Sequence, residues 1–106
     1  MATRILQISD THLSPVHTHF QSNYERLLEW MSESPPDLVI VTGDLSLDGA
    51  DQEADLRFAA EQLARLPAPW RALPGNHDVG DYPVLGGHQP TDATRMARWR
   101  AVLGAD

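Results

Sequence analysis

The chain has 106 residues, 42% of them hydrophobic, a formal net charge of −7 and no cysteine. That length suits one domain burying roughly two-thirds of the surface its unfolded form exposes. Disulfides and thiolate metal sites are excluded, all eight bases being arginine excludes a catalytic lysine, and the acidity argues against a nucleic-acid backbone as partner.

Residues Arg4 to Ser9 are rich in β-formers and predict a first strand that ends at Asp10. A loop from Leu13 to Asn23 follows, carrying His17 and His19. From Tyr24 to about Ser34, the positions Tyr24, Leu27, Leu28 and Met31 have the spacing of an amphipathic helix, with Ser22 or Asn23 as its cap. Pro35 and Pro36 end it. The apolar run Leu38 to Val41 predicts a strand covered on both faces, stopping at Thr42-Gly43-Asp44. A second helix fits Asp51 to Leu66, with acids at its start and Arg65 near its end to match the helix dipole. Trp70 to Leu73 predicts a third strand leading into Gly75-Asn76-His77-Asp78. Val79 to Asp92 reads as loop, and Thr94 to Leu103 as a helix with Met96, Trp99 and Leu103 on one side. Met1 leads straight into the first strand without a basic leader, and no apolar run approaches the ~20 residues of a membrane span. The expectation is a cytoplasmic protein with no membrane contact.

The order β-α-β-α-β predicts an α/β fold with a parallel sheet. In such sheets ligands bind outside the carboxyl ends of the strands, where all three polar clusters fall. Asp10 and His12, two apart on an extended segment, would project from one face and grip a divalent cation. Asp44 arrives on the neighbouring strand with two oxygens to share between ions, and Asn76 adds an amide oxygen. Mixed His/Asp/Asn ligation suits Mn, Fe, Zn or similar ions better than Ca or Mg. Two ions about 3.5–4 Å apart would hold a hydroxide nucleophile and clamp an in-line displacement at phosphorus. His77 would then give a proton to the leaving group or stabilise the transition-state charge. Each cluster alone is as well explained by turn chemistry; their joint occurrence at strand ends favours metal.

These blocks resemble the N-terminal part of a calcineurin-like metallophosphoesterase, whose signature runs Asp-x-His, Gly-Asp, Gly-Asn-His-Asp/Glu, a distal His and Gly-His-x-His. Asp10/His12, Gly43/Asp44 and Gly75/Asn76/His77/Asp78 match the first three blocks. Ile8-Ser9-Asp10-Thr11-His12-Leu13 most resembles the class III cyclic-nucleotide phosphodiesterase branch. The resemblance implies a single, incomplete domain: the parallel-sheet half of an α/β/β/α sandwich. It places Asp10 and His12 on one metal, Asp44 bridging, Asn76 on the second metal and His77 as the catalytic non-ligand. It implies a small phosphate ester, diester or monoester, as substrate. Where relatives often carry an Asp that orients the catalytic histidine, this chain has Leu47, with Asp48 one residue later. Gly87-His88-Gln89-Pro90 lacks the second histidine of the last block, so His88 is expected to be a loop histidine. Two other expectations compete: a non-catalytic module that keeps half of the site to bind metal or a partner, and a homo-oligomer in which a second copy covers the open sheet face.

Overall fold

In the computed structural model, residues 2–80 and 92–104 are described. Strands β1 (Ile5–Ile8), β2 (Leu38–Thr42) and β3 (Trp70–Leu73) form one parallel sheet in the order β1-β2-β3. Ile5 pairs with Leu38 and Ile8 with Val41; Val39 pairs with Trp70 and Thr42 with Leu73. The crossovers carry helices α1 (Gln21–Glu33) and α2 (Glu53–Leu63). A single helical turn, α3 (Asn76–Val79), follows β3, and α4 (Ala93–Leu103) completes the described elements. None of the described helices is long and apolar enough to cross a membrane.

Both crossover helices lie on one face of the sheet, as successive right-handed crossovers in this order require. Tyr24, Leu28 and Met31 of α1 and Leu56, Ala59 and Leu63 of α2 share a core with Ile8, Val39 and Val41. Each of the larger ones contributes about 1.5–3 kcal/mol by leaving water. Burial pushes the Tyr24 hydroxyl's pKa up, and that hydroxyl donates to the Gln62 carbonyl at 2.6 Å. Helix α4 adds Trp99 to this core, with Met96 and Leu103 packed against it, and starts one residue before the predicted Thr94. Asp92 caps it by accepting from Arg95 N at 2.8 Å.

The opposite face corrects one expectation. Along β2 only Val39 and Val41 are fully buried, while Leu38 and Ile40 alternate with them and are half-buried. Among the described residues the sheet therefore has one covered face, not two. On the bare side Ile5 and Leu73 are 58% and 62% exposed.

Helix boundaries shift for local reasons. Helix α1 begins at Gln21, so Ser22 and Asn23 lie in its first turn, and the N-cap position, Phe20, makes no side-chain capping bond. Helix α2 stops at Leu63 and has no basic residue in its last turn. Arg65 lies past its end and instead forms a two-pronged ion pair with Glu25 of α1, at 2.6 and 2.7 Å. Asp51, expected in α2, precedes it and pairs with Arg95 at 2.7 Å. Gly75-Asn76-His77-Asp78 is not plain loop: its last three residues with Val79 form α3, whose entry is closed by the Asp78 carboxylate accepting from Gly75 N at 2.9 Å.

Candidate metal centre

Beyond the ends of β1 and β2 the two connecting loops remain paired. Asp10 N donates to Gly43 O at 3.1 Å, His12 N to Asp44 O at 3.0 Å and Leu13 N to Leu45 O at 2.8 Å. The Thr11 hydroxyl adds a bond to Leu45 O at 2.9 Å. This pairing is not an extended continuation of β1. Asp10, His12 and Asp44 have φ of 60°, 45° and 52°, and they are the positive-φ non-glycine residues among the described positions. The expectation that Asp10 and His12 share one face of an extended segment is thus replaced by two left-handed turns. A left-handed backbone at a non-glycine residue costs about 1–3 kcal/mol and clusters where a site is built. Here it coincides with three of the four residues singled out as ligands.

Two glycines permit the convergence. Gly43 has φ +104°, and a Cβ there would meet the Gly75 backbone at 3.2 Å. A Cβ on Gly75 would collide with Asp44 Oδ1, so only hydrogen fits beside that carboxylate. The close approach lets His77 N donate to Asp44 Oδ1 at 2.9 Å.

One ligand atom from each of His12, Asp44 and His77 lies within 4.8 Å of the others. The rings of His12 and His77 meet edge-on at 4.5 Å. Asp10 stands beside this group, its Oδ1 3.7 Å from His12 Nε2, with its side chain 62% exposed. Its pKa is lowered chiefly by the Ser9 hydroxyl, with help from Asp44 and the two imidazoles. Asn76 is exposed at the first position of α3. His88 lies outside the described residues. His17 and His19 are exposed, with rings stacked at 6.5 Å from one another.

A divalent cation fits this donor set. Imidazole and carboxylate ligands converge, and His12 Nδ1 is buried with no hydrogen-bond partner among the described residues.

Three supports escaped the sequence reading. His77 Nδ1 lies 2.6 Å from the Leu47 carbonyl. A carbonyl only accepts, so Nδ1 carries the hydrogen and Nε2 is the nitrogen left for chemistry. The main chain at Leu47, the position that lacks the orienting Asp, thus holds the His77 ring, and no side-chain pattern could have signalled it. Second, Asp78 is fully buried and accepts from Leu45 N, Ser46 N, the Ser46 hydroxyl and Gly75 N at 2.6 to 3.2 Å. It braces the β3 turn against the β2 loop. Third, buried Ser14 donates to buried Asp55 at 2.9 Å, while its oxygen accepts from His17 N at 3.1 Å, fastening the β1 loop to α2.

The chain matches the family described as calcineurin-like phosphoesterase over residues 3–103. It is 37% identical over 83 residues to the 3',5'-cyclic adenosine monophosphate phosphodiesterase CpdA of Escherichia coli (strain K12), covering 71% of this chain and 30% of that protein. Against the "Probable glycerophosphodiester phosphodiesterase GpdQ" of Arcobacter nitrofigilis it is 35% identical over 83 residues, covering 70% of this chain and 29% of the relative. A "Transmembrane protein with metallophosphoesterase domain" of Danio rerio is 35% identical over 85 residues, 78% of this chain and 18% of that protein. The chain spans less than a third of the length of these curated relatives. Through the match over residues 3–103, which takes in all three strand-end blocks, it belongs to the calcineurin-like phosphoesterase family.

Proposed function

We propose that this chain carries half of the active centre of a divalent-metal-dependent phosphoesterase whose substrate is a small phosphodiester, a cyclic nucleotide being the type that the similarity to CpdA suggests. The convergence of His12, Asp44 and His77 from three strand ends carries this reading. Asp10, His12, Asp44 and Asn76 would hold two ions of the Mn, Fe or Zn kind, with Asp44 shared between them. Such ions supply Lewis-acid polarisation of the phosphoryl group and lower the pKa of a water toward neutrality. We place the remaining ligands in chain outside these residues, since the match covers less than a third of each relative.

His77 handles the proton. Its Nδ1–H stays on the Leu47 carbonyl, which fixes the ring and its tautomer. Nε2 then carries the proton given to the leaving oxygen. The uncovered sheet face, where Ile5 and Leu73 are exposed, is the surface on which a further layer packs. That layer comes from the rest of the fold or from a second copy, and sedimentation of the isolated chain tells which.

The test is cleavage of bis-p-nitrophenyl phosphate by a product extended beyond Asp106, with added manganese. Turnover that chelation removes is expected. No turnover with manganese, iron or zinc would overturn the reading.

The close grouping of ligand atoms favours a second role for His77, as a direct metal ligand. Calorimetric metal titration of His77→Ala separates the two. Unchanged metal stoichiometry with lost turnover assigns the proton role, whereas lost metal assigns ligation.

A further inference from the structure

We infer that the cleft between the β1 loop and the first turns of α1 holds the organic substituent of the phosphoester, and that Phe20 selects a flat ring there. This rests on the proposed phosphoesterase reading and adds to it a specificity-determining residue. The cleft has a volume of about 400 Å³, with Asp10 and Thr11 on one side and Phe20, Asn23 and Leu27 on the other. That is the size range of small-ligand sites. Asp10 lines the cleft and also stands 3.7 Å from His12, so a group esterified to a phosphate at the metal ligands would enter it directly.

The lining chemistry favours a ring. Phe20 is a large apolar side chain left 40% exposed, and its ring lies 5.6 Å from that of His12 at 49°. The row continues outward: His19 meets Phe20 edge-on at 6.4 Å, and His17 stacks on His19. Leu27 is a half-buried apolar side chain, and Tyr24 contributes its ring, its hydroxyl being committed to Gln62 O. Asn23 is exposed and makes no side-chain hydrogen bond among the described residues, so its amide is available to the polar edge of a base. A planar substituent covers the exposed Phe20 face by stacking, whereas a glycerol-like substituent has no face to offer it.

The experiment compares a ring-bearing with a ring-free diester, adenosine 3',5'-cyclic monophosphate and glycerophosphocholine, on wild type, Phe20→Ala and Phe20→Trp. Phe20→Ala is expected to raise the KM ratio of the ring-bearing over the ring-free ester about tenfold, with kcat held, and Phe20→Trp to restore it. A ratio that does not move, or a loss confined to kcat, overturns the assignment. Binding without turnover gives a separate readout: adenosine 3',5'-cyclic monophosphate should shift the amide NMR signals of residues 20–27, and Phe20→Ala should abolish those shifts. If neither ester is cleaved, the phosphoesterase reading fails, and the binding arm still decides on Phe20. Shifts at 20–27 that appear equally with glycerophosphocholine, or persist in Phe20→Ala, sink the ring-selecting role.

Discussion

Beneath the sheet, Met31, Val39, Val41, Leu56 and Leu63 are fully buried and are held by volume and by exclusion from water. At the carboxyl ends of the same strands, Asp78, Ser46, Asp44 and Gly75 are held by directed hydrogen bonds to one another and to His77 N. The first region is forgiving, because many apolar side chains of similar size fill one space. The second is not, because removing a partner leaves a buried donor or acceptor unpaired. It also carries left-handed backbone at Asp10, His12 and Asp44. The strain is local and the stability that tolerates it comes from the core, which is how a small domain can hold reactive groups in fixed positions.

Four measurements break or sharpen this contrast. The largest effect is expected from Asp44→Asn in the active protein: kcat/KM falls at least about 10³-fold, while circular dichroism stays unchanged. Asparagine keeps the size and the acceptor for His77 N, so retained turnover would remove Asp44 from the metal set. Next, Asp78→Ala strands the Leu45, Ser46 and Gly75 N–H groups and the Ser46 hydroxyl. It should cost about 3–5 kcal/mol in urea unfolding.

In the core, Met31→Leu should cost under about 1.5 kcal/mol and leave turnover alone. A cost equal to that of Asp78→Ala would erase the distinction between the two regions. The smallest effect concerns Glu25, whose hydrogen bonds to Arg65, then to Gln21, hold its pKa at about 2 against an ordinary 4.5. A depressed carboxyl stabilises fully above 4.5, and its contribution is lost as pH falls through about 2. Glu25→Gln should flatten the acid limb of stability between those values, and the exposed position keeps the change small.

Much of the fold was legible in the chain. Trp70–Leu73 lies where its apolar run and the following Pro-Gly put it, and α4 begins one residue from its expected start. The family was legible too, because three short blocks in order at strand ends are a joint signal that no single block carries. Helix ends were less so. Asp51 and Arg65 look like dipole-matching charges for α2, yet both are ion-pair partners of other helices, Arg95 and Glu25 respectively. The bare sheet face was illegible because the apolar run Leu38 to Val41 reads the same whether one face is covered or two.

By itself, then, the sequence determined the alternation of strands and helices, the placement of Asp10, His12, Asp44, Asn76 and His77 at strand ends, and the family. Those features follow from local periodicity and turn chemistry, which act over a few residues. Only the tertiary structure decided that His12, Asp44 and His77 come within 4.8 Å, that Asp10 stands beside them at 3.7 Å from His12, and that Asp78 braces the loops. It alone showed Leu47 offering a carbonyl to His77 across thirty residues. Main-chain partners and left-handed turns leave no mark in side-chain identity. They are chosen by the sum of packing and pairing around them.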